Sequence, residues 1–321
     1  MPSETTETTD LTAARFAGMR TLTVRHADHP TIPVALFYPT KSPTKKMRLG
    51  PYAPVVAFNG VPDLPLKGLI LLSHGSGGSQ LSHVNLSLRL AQSGYLVAAP
   101  QHPGDNWDDR ALVRSETYFA ERPRQLSRLL DALLADALWR DQIPAGRIGA
   151  LGHSAGGFSV LALAGGMADR QQVLHHCSVT DDDQMFCQLG GDPEVLAEAE
   201  AAVDFDVQDK RVGAVFAMAP IGVVFAPDSL KRIRVPSHVV TAELDAVLPP
   251  KYHGDWLRAR LPQAAFEEVP LAGHFAFMAT PLVPLMSAVG DPGVDPAGFD
   301  RARYLLTLEQ QVINFFDKTL A

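Results

Sequence analysis

The run Arg147-Ile-Gly-Ala-Leu-Gly-His-Ser-Ala-Gly-Gly-Phe places Ser154 between Gly152 and Gly156. Chance supplies a Gly-x-Ser-x-Gly match in about one chain in ten of this size, so the pattern alone says little. Its setting says more. An apolar stretch precedes it and a helical segment, Phe158 to Leu163, follows it. A strand, a sharp turn and a helix are what a nucleophile elbow requires, with the serine hydroxyl lifted out of a strained backbone and glycines on either side avoiding collision. The chemistry that suits such a serine is acyl transfer. The bland alternative is a glycine-rich turn carrying an ordinary N-cap serine.

Acyl transfer puts negative charge on the former carbonyl oxygen, so backbone N–H groups must converge on it. Leu71-Leu-Ser-His-Gly-Ser-Gly-Gly, again directly after an apolar stretch, offers a turn of this kind. The N–H groups of Ser76 and of Ala155, just after the serine, are the expected oxyanion donors. Gly75, Gly77 and Gln80 fail the dinucleotide-binding pattern, and no lysine follows as a phosphate-binding loop demands.

The serine needs a base, and Leu271-Ala-Gly-His-Phe-Ala-Phe supplies His274 after the last expected strand. The imidazole needs a carboxylate, and Asp245, between Ser154 and His274 in Val239-Val-Thr-Ala-Glu-Leu-Asp, fits the order serine, acid, histidine. Glu243 competes for that role and reads as solvent-facing or salt-bridged. His153 and His74 sit inside the two glycine turns, whereas His26, His29, His238 and His253 read as surface or strand-edge residues. His175, His176, Cys177 and Cys187 match neither a Cys-x-x-Cys pair nor a His-Glu-x-x-His helix, so no metal is expected there. Asp181 to Asp183 reads as an exposed charge run.

These residues must be held by a scaffold. Eight short runs rich in Val, Ile and Leu read as strands: Arg20–Val24, Pro33–Tyr38, Gly68–Ser73, Tyr95–Ala99, Arg147–Leu151, Val212–Ala217, Ser237–Thr241 and Ala265–Val269. Leu126, Leu129, Leu130, Leu133, Leu134 and Leu138 mark one face of a helix with Pro123 before it. A second helix covers about Ser82 to Gln92 and stops at Gly94, and a last one carries Leu305, Leu308, Val312, Phe315 and Phe316. The alternation predicts an α/β fold with a mostly parallel sheet covered by helices on both faces. Residues 1–18 are expected to form a flexible N-terminal segment and residues 19–321 one domain. Ala168 to Lys210, with a short helix near Pro193 to Ala202, is too long for an ordinary connection and reads as an insertion covering the site. The loop from Gln101 to Asp109 and the segment Ala276 to Val294 are expected to wall the pocket beside it.

The chain has 321 residues, 46% of them hydrophobic and 20% charged, with a net charge of −7 from 28 Lys and Arg against 35 Asp and Glu. That balance excludes disorder and makes nucleic-acid binding a poor reading. No apolar stretch reaches the roughly 18 residues of a membrane span. Met1 to Asp10 has neither a basic start nor an apolar core, so no secretory signal is read and the cytoplasm is the default location. Cys177 and Cys187 are then expected as thiols, with a single loop-closing bridge as the alternative should the chain be exported.

Taken together, Ala35-Leu-Phe-Tyr-Pro-Thr, Ser73-His-Gly-Ser-Gly-Gly, Ala99-Pro-Gln-His-Pro-Gly-Asp-Asn, Gly152-His-Ser-Ala-Gly-Gly, Gly273-His-Phe-Ala-Phe and Phe299-Asp-Arg resemble the α/β-hydrolases of the predicted dienelactone-hydrolase group, and also platelet-activating-factor acetylhydrolase. The resemblance covers nearly the whole chain. It implies the α/β-hydrolase fold with a lid insertion, and a carboxylic ester hydrolase with Ser154, Asp245 and His274 as triad and no cofactor. The chain departs from dienelactone hydrolases in carrying serine where those use cysteine. It departs from the acetylhydrolases in reading Met218-Ala-Pro220 where they carry the acid, which moves the acid to Asp245. The expected partner is a small ester with an apolar acyl group. An amide or peptide hydrolase using the same residues, or a non-catalytic ligand-binding protein on the same fold, are the alternatives.

Overall fold

The computed structural model describes residues 15–189 and 203–321. Each of the eight expected strands is present: β1 (Phe16–His26), β2 (His29–Thr40), β5 (Gly68–Ser73), β6 (Tyr95–Pro100), β7 (Ile148–His153), β8 (Ala214–Met218), β9 (Ser237–Ala242) and β10 (Ala265–Val269). Two more, β3 (Lys45–Lys46) and β4 (Val55–Phe58), raise the number to ten among the described residues and extend one edge. Val55–Phe58 is too short to show periodicity, and its pairing with β1 rests on two residue pairs.

The strand order is β10-β9-β8-β7-β5-β6-β2-β1-β4-β3. From β6 through β10 every neighbour is parallel, while β2 runs antiparallel to both β6 and β1. Strands β5 to β8 are buried along their whole length, which is why they read as unbroken apolar runs rather than alternating ones.

Helices cover both faces of the sheet. On one side α1 (Val84–Gln92) and the last helix, α7 (Arg301–Thr319), bury Leu86, Leu90, Leu308, Val312 and Phe316. On the other, α2 (Tyr118–Ala135), α3 (Ala155–Leu163) and α6 (Gly254–Arg260) bury Leu126, Leu129, Leu130, Leu133, Phe158 and Leu257. Helix α2 begins before Pro123 rather than after it. The proline lies inside the helix, and the polar Arg122 beside it is fully buried. Leu138 falls beyond the end of α2 and is partly exposed, and Trp139 takes the buried place against Tyr38.

Residues 16–18 of the expected N-terminal segment belong to β1. Within the insertion, α4 (Arg170–Val179) and α5 (Gln184–Leu189) are described, and the helix expected near Pro193 to Ala202 lies outside the described residues. Cys177 and Cys187 are not thiols but a disulfide with Cα atoms 5.7 Å apart, because α4 and α5 fold back on each other. Asp183 is not an exposed charge. It is buried, its carboxylate lies 2.7 Å from His176 Nε2 and 3.2 Å from His253 Nε2, and His253 is likewise buried rather than at the surface. Asp182 joins Lys251 and accepts from the Tyr252 hydroxyl at 2.5 Å. The insertion is thereby tied to the loop that follows β9. No described helix is long and apolar enough to cross a membrane.

Candidate active site

Strand β7 ends at His153 and α3 begins at Ala155, leaving Ser154 alone at the turn with φ 57° and ψ −121°. A positive φ costs a serine about 1–3 kcal/mol and survives only where the surroundings impose it. Here they do. The Ser154 N–H donates to Met218 O at 2.9 Å and its carbonyl accepts from Phe158 N at 3.0 Å. A Cβ on Gly152 would stand 2.1 Å from Gly156 O, and one on Gly156 would stand 2.0 Å from Ser73 O. Both glycines are therefore required by the tight passage from strand to helix.

His274 opens a short 3-10 turn after β10, and Asp245 lies just past the end of β9. His274 Nδ1 is 2.7 Å from Asp245 Oδ2, and both residues are buried. The other carboxylate oxygen, Asp245 Oδ1, accepts from the N–H groups of Val247 at 2.9 Å and Leu248 at 2.8 Å. Glu243, the competing acid, faces elsewhere and accepts from Leu271 N at 2.7 Å. Ser154 and His274 line one cavity of about 320 Å³, together with Ser76. Asn106 and Trp107 from the Gln101 to Asp109 loop, and Met278, Met286 and Pro292 from the Ala276 to Val294 segment, form its walls. A second cavity of about 40 Å³ is bordered by Ser154, Ser76 and Ala155. Ala155 is the first residue of α3, where a helix leaves its N–H groups without intrahelical acceptors. A hydroxyl on a strained turn, an imidazole fixed by a carboxylate, and two backbone segments at a helix start and a glycine turn can together perform nucleophilic acyl transfer.

Beneath the glycine turn lies a polar cluster that sequence reasoning missed. Asp105 is fully buried and accepts from Arg122 at 2.5 Å, the Tyr118 hydroxyl at 2.8 Å, the Ser76 hydroxyl at 2.8 Å and Gly77 N at 3.0 Å. Burial alone would raise its pKa, but Arg122, Arg110 and the hydroxyl donors outweigh that and hold it below the usual carboxylate value. Arg122 also donates to His74 O, so one ion pair fixes both ends of the turn carrying Ser76. In the sequence the Asp105 loop reads as a wall of the pocket, and Arg122 carries no signal because the leucine pattern starts after it. We expect Arg122→Met to lower stability by about 3 kcal/mol, the low end for a broken buried pair because Arg110 remains 3.2 Å from Asp105. Thermal unfolding should move down by roughly 4–5 °C for a chain of this size, read by calorimetry.

Buried histidines surround the serine. His74 donates from Nδ1 to Gly75 O at 2.7 Å and accepts from His102 N at 3.1 Å. His102 contacts Gln125 Oε1 at 2.7 Å and Ser73 Oγ at 2.9 Å. His153 Nε2 lies 2.9 Å from His274 O, and the two rings are 4.8 Å apart. His83 has no hydrogen-bond partner on either nitrogen among the described residues. No group of three or more His, Cys, Asp or Glu that could hold a metal occurs among the described residues.

The strand order, with a mostly parallel sheet covered by helices on both faces, is that of an α/β-hydrolase fold. Among solved structures, the chain is similar to a ferulic acid esterase from Streptomyces cinnamoneus, with a TM-score of 0.65 and 20% identity over 95% of this chain and 90% of that one. It is also similar to an acylaminoacyl peptidase from Pyrococcus horikoshii, with a TM-score of 0.55 and 12% identity over 96% of this chain. The alignment spans only 42% of the peptidase. No protein-family model matches the chain, and no curated protein sequence does either.

Proposed function

We propose that the protein is a serine hydrolase that cleaves carboxylic esters through an acyl-enzyme. One observation carries this reading: Ser154, on a strained elbow, opens into the same cavity as His274, whose Nδ1 is held by Asp245. The ester substrate is supported by likeness to the ferulic acid esterase, matched over nearly the full length of both chains.

In this mechanism Ser154 Oγ attacks the ester carbonyl while His274 Nε2 takes its proton. The oxyanion rests on the N–H groups of Ser76 and Ala155, each contributing about 3 kcal/mol in the transition state. His274 then protonates the departing alcohol, and a water activated by the same imidazole releases the acid. Asp245 keeps the proton of the resting imidazole on Nδ1 throughout, leaving Nε2 free to accept. No cofactor takes part. Phe275, Met278 and Val247 along the larger cavity support an apolar substrate. A bridged cysteine pair is typical of oxidising compartments, so Cys177–Cys187 supports export over the cytoplasm.

An organophosphonate tests the reading directly. One phosphonyl group should add per chain, on Ser154, and none should add to Ser154→Ala, as read by intact mass and peptide mapping. A native chain that stays unlabelled and turns over no ester would instead mark a non-catalytic binding protein. Matched p-nitrophenyl acetate and acetyl p-nitroanilide separate the ester from the amide reading.

A further inference from the structure

We infer that the small cavity beside Ser154 receives the acyl group, and that Phe186, carried by the disulfide-closed insertion, limits that group to about four carbons. The inference rests on the ester-hydrolase reading and names its substrate class.

The assignment follows from the geometry of a tetrahedral carbon. Once bonded to Ser154 Oγ, the carbon has three other substituents. Its oxyanion turns towards the N–H groups of Ser76 and Ala155. Its leaving oxygen must face His274, which protonates it. The 320 Å³ cavity is lined by His274, so the alcohol portion occupies that side. The acyl substituent is left with the remaining direction, and the 40 Å³ cavity borders Ser154, Ser76 and Ala155 but not His274.

Beyond the residues at the reaction centre, the walls of this second cavity are Tyr118, Met185, Phe186, Ile221, Val247 and Leu248, apolar except for a Tyr118 hydroxyl already donated to Asp105. A water-sized group needs about 10–15 Å³ of such space, so 40 Å³ takes about three of them. Acetyl to butyryl groups fit, and an octanoyl chain does not.

Among these walls, Phe186 is buried and can change without disturbing the reaction centre. Tyr118 belongs to the Asp105 cluster, Leu248 N holds Asp245, and Ile221 N bonds Ser154 O at 3.4 Å. Phe186 sits on α5 and is buried, with its ring edge-on to His253 at 5.1 Å. It is held from both sides in sequence. Cys187 is bonded to Cys177, and Asp183 is set between His176 and His253. A side chain so fixed acts as a stop rather than as a yielding flap.

The experiment is a p-nitrophenyl ester series from acetate to decanoate with the native chain, Phe186→Ala and Phe186→Leu. Ratios of kcat/KM within one preparation cancel any loss of folded protein. The native optimum is expected between two and four carbons, with a drop of about tenfold or more by octanoate, since surplus methylenes in a pocket this small cost at least that much. Phe186→Ala should raise the octanoate-to-acetate ratio about tenfold or more, with Phe186→Leu between it and the native chain. A native optimum at eight or more carbons, or a Phe186→Ala profile that superposes on the native one, would overturn this assignment while leaving the hydrolase reading intact. No turnover of any ester, with Ser154 unlabelled by phosphonate, would overturn both.

Discussion

Asp245→Asn is expected to lower kcat on a p-nitrophenyl ester by about 10⁴ at neutral pH with little loss of stability. The size of the effect follows from how the carboxylate is held. Asp245 Oδ1 is committed to the N–H groups of Val247 and Leu248, so an asparagine would keep its carbonyl oxygen there and turn its amide NH₂ towards His274. That NH₂ can only donate. His274 Nδ1, now 2.7 Å from a carboxylate oxygen, would have to accept from it, and the ring proton would move to Nε2. An imidazole carrying its proton on Nε2 cannot take one from Ser154. The local hydrogen bonds survive while the base faces the serine in the wrong tautomer. Glu243→Gln is the control, since its carboxylate meets Leu271 N rather than His274, and its activity should stay within about twofold of native. Equal losses in the two variants, or an Asp245→Asn variant with native kcat, would remove Asp245 from the role proposed for it.

The parts of the site that could be read from the residues are those fixed by local sterics or chain order. Gly152 and Gly156 are demanded by contacts within a few residues of Ser154 and with the adjoining strand, so the pattern announces itself. Asp245 and His274 follow strand ends in a fixed order, and strands buried on both faces are conspicuous as apolar runs. What could not be read depends on partners distant in sequence. Asp183 looks like the third member of a solvated acidic run, and His253, 70 residues on, joins His176 in making it a buried anchor. Arg122 stands next to a proline and outside the leucine stripe. Nothing local tells that Asp105, 17 residues earlier, waits for it in the interior. The pairing of Cys177 with Cys187 is of the same kind. A spacing of ten residues permits a bridge, but the packing of α4 on α5 decides it.

The same interior polarity makes acid the condition that should undo the fold. Burial, first of all, lowers the pKa of His74 and of His83 to about 3, with the Arg122 charge adding to the effect on His74. Burial likewise drives His102 and His153 well below 6.5, assisted by Arg122 at the first and His274 at the second. Above about pH 6.5 these rings are neutral in both folded and unfolded chains, and stability does not depend on them. Below it the unfolded chain takes up protons that the folded chain refuses, so stability falls as the pH is lowered towards 3. Each such proton costs about 1.4 kcal/mol per pH unit. Four of them would exhaust a typical stability of roughly 5–15 kcal/mol within two to three pH units. Urea midpoints should therefore hold steady from pH 8 to 7 and collapse between about pH 6 and 4.5, with a slope corresponding to several protons taken up on unfolding. A flat midpoint across that range would contradict the argument. His83 and His102 divide the effect into its causes. Neither nitrogen of His83 has a partner among the described residues, so His83→Leu should reduce the slope by about one proton at little cost at pH 8. His102→Leu should also reduce the slope, but it strips Ser73 and Gln125 of their bonds and should destabilise the protein by about 1–3 kcal/mol at every pH.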